Sequence, residues 1–323
     1  MPRLGRGQPL PTTEGNRKMS QVTPDQEDTA RRNPDTLGSL AVLLATAFWG
    51  TSAVFIKLIL ASQEVSALAL AFWRDLVTFL VFLVGLGVLR PTWLRVERRD
   101  LAWLGGLGAS IGILHIFWNL GVILNGAAAA TVQQAAMPAI VAVAAWLIWR
   151  EPLTARKIVA ILLTFVGTVF VSGLNVLAET DLSLSGFLVG LGLPIVYAGW
   201  NLVIKEVRQH HNIFTTLTYG FGFATLVLLP FQFFTPQPQS PSRDVLLYFA
   251  GLISLASIGG FSVYAFAVRR LESSVATVLA MAEIPIVAIY AFALFGERLN
   301  NDQIVGTALV VVGVAMLSWH RET

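Results

Sequence analysis

An acidic residue inside a long apolar stretch is the most chemically suggestive feature of this sequence. Glu283 lies within the apolar run 273–295, just before Pro285. A carboxylate at the centre of a bilayer costs about 2.5 to 3.5 kcal/mol, so such a residue is expected to face protein or water. We expect Glu283 to bind a substrate amine or to carry a proton. The alternative is a structural hydrogen bond to a carbonyl that the proline leaves free.

Polar and aromatic residues recur at helical spacing in other apolar runs. Aliphatic residues are cheapest against lipid, so such stripes mark surfaces that face other helices. The stripe is clearest at Gly108, Gly112, His115 and Asn119, with Trp118 beside it. We predict that aromatic and polar side chains from several runs bind the substrate: Trp49, His115, Trp118, Asn119, Gln134, Tyr197, Trp200, Asn201, Tyr264 and Glu283. For any one of them, the alternative is an interhelical hydrogen bond or ordinary aromatic packing.

Two further charges, Arg74 and Asp75, lie about 12 Å inside their run at 1.5 Å per residue. As sequence neighbours they do not face each other. We interpret Arg74 as structurally paired or as reaching towards the interface. Asp75 is the second candidate for proton coupling, beside Glu283, so protons are the candidate coupling ion.

The sequence predicts no catalytic, metal or cofactor site. His210 and His211 are remote in depth from His115, and the chain has no Cys. No Gly-rich motif joins a strand to a phosphate-binding helix. We therefore predict that the protein is not an enzyme, has no cofactor and binds no nucleic acid. Any coupling is expected to come from an ion gradient or from substrate exchange.

The elements that carry these residues are long and apolar. Of the 323 residues, 55% are hydrophobic and only 13% are charged, against roughly 25% charged in ordinary globular chains. We predict an all-α polytopic membrane protein, because each run approaches the ~20 residues that cross about 30 Å of hydrocarbon as a helix. Ten transmembrane helices are predicted, at residues 37–60, 66–89, 101–123, 126–149, 155–174, 184–205, 213–234, 245–267, 273–295 and 302–319. Residues 1–36 are predicted to be a disordered cytoplasmic tail, and the true start, Met1 or Met19, stays open.

The distribution of Lys and Arg predicts the orientation. Eleven of these residues lie at the junctions after the even-numbered spans, and two lie in the opposite loops. The positive-inside rule therefore places both termini in the cytoplasm, with the protein in the cell inner (plasma) membrane. In this orientation His115 and Asn119 lie in the outer half, Trp49 and Glu283 lie near the midplane, and Tyr197, Trp200, Asn201 and Tyr264 lie in the inner half.

The two halves of the chain share an internal repeat. Its first copy, 37–174, and its second, 184–319, have these residues in common: Ala130-Thr131-Val132, Pro138, Glu151 and Gly167 against Ala276-Thr277-Val278, Pro285, Glu297 and Gly313. Chance identity between apolar sequences is the alternative. Five spans per copy make the second copy enter the membrane from the opposite face. Such inverted repeats are typical of alternating-access carriers, which hold substrate near the midplane.

Several short motifs resemble the EamA family of the drug/metabolite transporter superfamily. They are Trp49-Gly50 with Lys57, the run Ile284-Pro285-Ile286-Val287 before Gly296-Glu297-Arg298-Leu299, and Pro138 followed by Glu151-Pro152-Leu153-Thr154. The resemblance covers residues 37 to 319. It implies ten helices in two inverted five-helix repeats and a carrier of small metabolites, often an exporter of amino acids or related compounds.

These observations together predict a secondary transporter for a small amphipathic metabolite such as an amino acid. It would work by alternating access through a central cavity between the repeats. Export is expected from the resemblance only. A membrane-embedded enzyme acting on lipid or isoprenoid substrates and a non-transporting scaffold or sensor are the alternatives. The cargo and the oligomeric state are left open.

Overall fold

The computed structural model describes residues 36–125, 127–172, 183–238, 240–296 and 299–318. Every regular element in these ranges is helical, and none is a strand. The helices are α1 Thr36–Ser62, α2 Ala67–Leu89, α3 Asp100–Asn125, α4 Ala127–Gln134, α5 Met137–Trp149, α6 Ala155–Ser172, α7 Leu184–His210, α8 Ile213–Gln232, α9 Arg243–Gly251, α10 Phe261–Ala267, α11 Ser273–Ala280, α12 Glu283–Phe295 and α13 Asn301–Ser318. A short 3₁₀ helix, Pro91–Leu94, follows α2, and a π-helical segment, Leu252–Gly260, joins α9 to α10.

The chain is a multi-pass membrane protein, as the sequence predicts. Eight helical stretches within the described ranges are long and apolar enough to cross a membrane, and α5 is a shorter apolar helix. The predicted run 66–89 corresponds to Ala67–Leu89, for example. The count of ten spans stays a prediction, because α6 is not among the eight. The predicted tail lies outside the described residues except for Thr36.

Two of the predicted spans are broken helices of identical construction. Each consists of an 8-residue helix, a two-residue turn and a 13-residue helix, α4 with α5 and α11 with α12. The bounds of the second pair are those of the first plus 146. Pro138 and Pro285 lie in the first turn of α5 and α12, where a missing amide leaves no helical hydrogen bond unmade. The breaks therefore precede the prolines.

The contacts between the two halves are reciprocal. Helix α1 packs against the π-helical segment and α10, while α7 packs against α3. Helix α2 packs against α8, and α6 against α13. Helices α1 and α7 both have 27 residues, and α6 and α13 both have 18. These equivalent helices thus make matching contacts across the bundle, although α3 packs more extensively against α8 than α2 does against the π-helical segment.

Helices α6 and α13 cross at glycines. A Cβ added to Gly306 would lie 2.5 Å from the carbonyl oxygen of Gly167, and one added to Gly167 would lie 2.7 Å from the carbonyl oxygen of Gly306. Only a residue without a side chain allows the two backbones to approach this closely. This crossing joins the last helix of each half to that of the other.

Candidate substrate site

The breaks in the two divided helices position two of the predicted residues. Gln134 is the last residue of α4, and Glu283 is the first residue of α12. The backbone amides in the first turn of a helix carry a partial positive charge, which favours a carboxylate there. The break therefore helps to explain how Glu283 is tolerated inside an apolar helical stretch.

Four aromatic side chains from α1, α7 and α10 form one cluster, the aromatic layer, consisting of Trp49, Trp200, Phe261 and Tyr264. The ring centroids of Trp49 and Tyr264 are 4.9 Å apart, and those of Trp49 and Trp200 are 6.1 Å apart. Trp200 stacks on Tyr264 at 5.5 Å. All four residues are buried. Three predicted residues thus come together, but they contact one another instead of lining an open space.

Asn201 extends the aromatic layer with polar contacts. Its side-chain oxygen accepts a hydrogen bond from the hydroxyl of Tyr264. Its amide nitrogen donates to the backbone oxygen of Tyr197 at 3.0 Å and lies 3.7 Å from the sulfur of Met137. Asn201 is buried. In this conformation its hydrogen-bonding groups are therefore engaged within the protein.

Two indole nitrogens of the aromatic layer have no hydrogen-bond acceptor among the described residues. Trp49 Nε1 and Trp200 Nε1 are buried and donate to no acceptor among the described residues. Trp49 lies against Gly260, where an added Cβ would be 2.6 Å from the indole nitrogen. An unpaired buried donor costs about 1 to 3 kcal/mol. A conformation in which the layer separates would give both donors access to water or to a substrate.

The remaining predicted residues keep partial exposure, unlike the aromatic layer: His115, Trp118, Asn119, Gln134, Tyr197 and Glu283. Within the part of the chain that the structure describes, the Glu283 carboxylate has neither a hydrogen bond nor an ion pair. It interacts at longer range with Arg74 and with Tyr197. The amide of Asn119 donates to the backbone oxygen of His115 at 2.7 Å. The predicted residues therefore divide into a buried set and a partly exposed set.

Asp75 and His115 form a pair that joins α2 to α3. His115 Nδ1 lies 2.8 Å from Asp75 Oδ2. Asp75 is fully buried, and its second oxygen has no partner among the described residues. The adjacent Arg74 makes a different contact, because its Nε donates to Ser257 Oγ at 2.7 Å. The two charges of α2 thus contact different elements.

A second polar cluster, the Glu151 network, links the two halves at one end of the bundle. The Glu151 carboxylate accepts hydrogen bonds from Lys205 Nζ at 2.6 Å, from the amide of Ser273 at 3.0 Å and from Ser274 Oγ at 3.2 Å. It therefore caps the first turn of α11, where an anion is favoured. Burial disfavours the charged form, but Lys205 and the two serine amides outweigh it and hold the pKa of Glu151 below its usual range.

Further contacts of charged side chains lie beside the Glu151 network, and the first of them joins the two halves. Lys157 pairs with Glu272 and donates to the backbone oxygen of Pro152 at 2.8 Å. Arg208 Nε donates to the backbone oxygen of Ala265 at 2.8 Å. Several charged side chains thus hold this end of the bundle together.

Sequence reasoning missed the partners that come from distant helices. The contact of Arg74 with Ser257 spans 183 positions, and no local pattern indicates it. The predicted stripe on α3 contains residues with two different roles. Its glycines serve packing against α8, since an added Cβ at Gly108 would lie 2.2 Å from the Cβ of Phe223. Within the described ranges, no group of three or more His, Cys, Asp or Glu could hold a metal ion.

Comparisons with known proteins agree with this architecture. The profile of the EamA-like transporter family matches residues 36–173 and again 184–319. An uncharacterized transporter of Archaeoglobus fulgidus is 23% identical over 279 residues, covering 85% of this chain and 96% of that protein. The uncharacterized inner membrane transporter YicL of Salmonella typhimurium is 24% identical over 289 residues, covering 87% and 95%. A crystal structure with 17% identity superposes with a TM-score of 0.71, covering 86% of this chain and 95% of the other.

Proposed function

The chain belongs to the EamA-like transporter family, and from this premise we propose that it is a secondary transporter that moves a small amphipathic metabolite by alternating access. The cargo that we propose is an amino acid or a related compound, and the direction is export. The observation that carries the proposal is the pair of matching broken helices, with a Glu283 carboxylate at one break that has no ion pair among the described residues. Substrate sites of such carriers lie near the midplane, beside discontinuous helices.

We further propose ten spans in two inverted repeats. The matching bounds of the broken helices and the reciprocal contacts between the halves support a twofold relation. If α6 crosses the membrane, each half has five spans and the second half runs in the opposite sense. Charge distribution then places both termini in the cytoplasm. The inner membrane is the proposed location, in line with the name of the YicL relative.

In this orientation the Glu151 network lies at the cytoplasmic end. The aromatic layer lies at the midplane and on the cytoplasmic side of it, whereas the partly exposed set, apart from Tyr197, lies at the midplane and outwards of it. We therefore interpret the conformation as closed towards the cytoplasm. Export would require the Glu151 network and the aromatic layer to open, so that substrate reaches Glu283 from the inside.

Each predicted residue has a proposed role in this cycle. Glu283 binds a substrate amine or exchanges it for a proton, and the Asp75–His115 pair is the second candidate for proton coupling. The polar groups of Asn119, Gln134 and Asn201 bind polar parts of the substrate. The aromatic residues line the path for its apolar part: Trp49, Trp118, Tyr197, Trp200 and Tyr264.

Uptake into proteoliposomes of the purified protein tests the proposal. Each of the common amino acids is offered as a labelled compound, with and without a pH gradient. We expect saturable flux of at least one amino acid. Glu283→Gln should abolish the effect of the gradient, since a neutral amide carries no proton. The absence of flux for every cargo would contradict the transport proposal, and an unchanged pH dependence in the variant would remove Glu283 from coupling.

A further inference from the structure

An apolar groove runs along the outside of the bundle, between α1 and α10. Both helices belong to stretches that are long and apolar enough to cross a membrane. The groove has a volume of about 380 Å³, and sites for small ligands have volumes of roughly 300 to 1,000 Å³. Ala41 and Ser262 are its small lining residues, and larger apolar side chains complete it: Leu37, Leu40, Leu44, Val263 and Phe266.

The groove follows one face of α1. Residues three, four and seven positions apart lie on the same side of a helix, and the α1 lining residues have this spacing from Leu37. The leucines Leu37, Leu40 and Leu44 keep 52%, 58% and 49% of their surface exposed. Seven residues of helix rise about 10 Å, which is about two thirds of one leaflet of a hydrocarbon core ~30 Å thick. The groove therefore suits the part of an acyl chain that lies nearest to its headgroup.

A positive charge lies at one end of this groove. The guanidinium carbon of Arg270 lies 4.5 Å from the centre of the Phe266 ring, and Phe266 lines the groove. A Cβ added to Gly38 in the first turn of α1 would lie 3.2 Å from the Cβ of Arg270. Both groove helices thus contact Arg270. Stacking on a ring uses the face of a guanidinium, whereas its N–H donors lie in its plane.

Neighbouring residues add to the positive charge at this end of the groove. Arg269 is exposed, as Arg270 is, and it has no acidic partner among the described residues. Arg208 Nε donates to the backbone oxygen of Ala265 at 2.8 Å, which places a third guanidinium at the end of α10. Glu272, the nearest carboxylate in the sequence, already forms an ion pair with a lysine of the first half. An apolar groove that ends at exposed arginines is complementary to a lipid with a negatively charged headgroup.

We propose that this groove binds a phospholipid with a net negative headgroup, whose acyl chain lies along α1 and whose phosphate binds Arg269 and Arg270. Guanidinium groups bind phosphate oxygens through paired, charge-assisted hydrogen bonds. Each arginine near the membrane surface strengthens the binding of anionic lipid by about fivefold. A zwitterionic lipid gains less, because its own cation offsets the charge of its phosphate. The inference depends neither on the cargo nor on transport.

Native mass spectrometry of the purified full-length protein tests the proposal. Dioleoyl phosphatidylglycerol and dioleoyl phosphatidylcholine have the same acyl chains and differ in net charge. The ratio of their apparent dissociation constants therefore isolates the effect of the headgroup. We expect the first phosphatidylglycerol to bind about 5- to 30-fold more tightly than the first phosphatidylcholine, from about fivefold for each of the two arginines. Equal binding of the two lipids, or no bound lipid, would overturn the inference.

Variants test whether the two arginines cause this preference. Arg269→Gln and Arg270→Gln should each reduce it about fivefold, and Arg270→Lys should keep most of it because the charge stays. Both side chains are exposed, so their replacement should leave the fold intact. Arg98→Gln is the matched control, since Arg98 is an exposed arginine in the loop between α2 and α3. A preference that survives the loss of both arginines, or that Arg98→Gln reduces equally, would refute the site.

Two further variants test the groove itself. Ser262→Leu fills part of it, so it should weaken the binding of both lipids and leave their ratio unchanged. Unchanged affinity for both lipids would show that neither occupies the groove. A second copy of the chain is the other occupant to test. Because the chain has no Cys, Leu40→Cys can form a disulfide on oxidation only with another copy, and such a dimer would assign the groove to self-association and overturn the inference.

Discussion

Removing the charge of Glu151 should open the end of the bundle that the Glu151 network closes. The carboxylate bonds to Lys205 Nζ at 2.6 Å, to the Ser273 amide at 3.0 Å and to Ser274 Oγ at 3.2 Å. Glu151→Gln keeps the shape and one acceptor oxygen but removes the ion pair. Breaking one partner of a buried pair costs about 3 to 5 kcal/mol, and we take the lower end because Lys205 keeps some contact with solvent.

A loss of about 3 kcal/mol shifts the ratio of closed to open forms by about a hundredfold, at 1.4 kcal/mol per factor of ten. Labelling of a buried cysteine measures this shift, and the chain has no Cys that would give a background signal. Ala276→Cys in α11 places the reporter at a buried position just inside the Glu151 network. In the Glu151→Gln background, a membrane-impermeant maleimide applied from the side that the proposed orientation makes cytoplasmic should label this cysteine up to about a hundredfold faster.

Glu206→Gln is the matched control for this experiment. Glu206 is next to Lys205 on α7, and it pairs with the exposed His210 at 3.5 Å. Exposed pairs of this kind contribute about 0 to 1 kcal/mol, so this variant should label like the wild type. An equal labelling rate in Glu151→Gln and the wild type would refute the reasoning that the network holds this end closed.

Further predictions concern the packing of the halves, a strained helix end and pH. Gly306→Ala would place its Cβ 2.5 Å from the carbonyl oxygen of Gly167, so it should lower the melting temperature measured by size-exclusion chromatography of heated samples. Gly87→Ala is the control and should leave the melting temperature unchanged, because no atom lies within 4 Å of its new Cβ. Arg150 has a left-handed backbone conformation with φ 59°, which costs a residue with a side chain about 1 kcal/mol. Arg150→Gly should therefore raise the melting temperature, and an unchanged or lower melting temperature would argue against this strain. Because the pKa of Glu151 is lowered in the closed form, closure should be favoured at neutral pH and should be lost as the pH falls through and below the range in which an ordinary glutamate titrates. The Ala276→Cys labelling rate should rise at that low pH only if Glu151 is present.

The helices were predictable from the sequence because lipid offers no hydrogen-bond partners to the backbone. A long apolar run must be helical, and the predicted run 213–234 corresponds to Ile213–Gln232 in the structure. The break within 273–295 was not predictable in detail. Pro285 indicates a disturbance, but the turn before Glu283 depends on how α11 and α12 pack against other helices.

The candidate site was predictable in its residue types but not in its pairing. Buried polar residues are costly in a membrane, so Asp75, His115 and Glu283 stand out in the sequence without any structure. That Asp75 contacts His115 depends on the packing of α2 against α3, which no local pattern encodes. The sequence predicts that Arg74 is structurally paired or reaches towards the interface, but it does not indicate the partner, Ser257.

Alternating access requires that a single site faces outwards and inwards in turn. Cysteine labelling from both sides of the membrane tests this most directly. In the proposed orientation, Asn119→Cys reports on the outer half, and Ala276→Cys reports on the inner half; Asn119 is partly exposed. Each is labelled in proteoliposomes with a membrane-impermeant reagent on its own side, with and without a transported amino acid. Alternating access predicts that any condition that speeds labelling of one cysteine slows labelling of the other. Faster labelling of both cysteines under the same condition, or labelling rates that no substrate changes, would contradict alternating access.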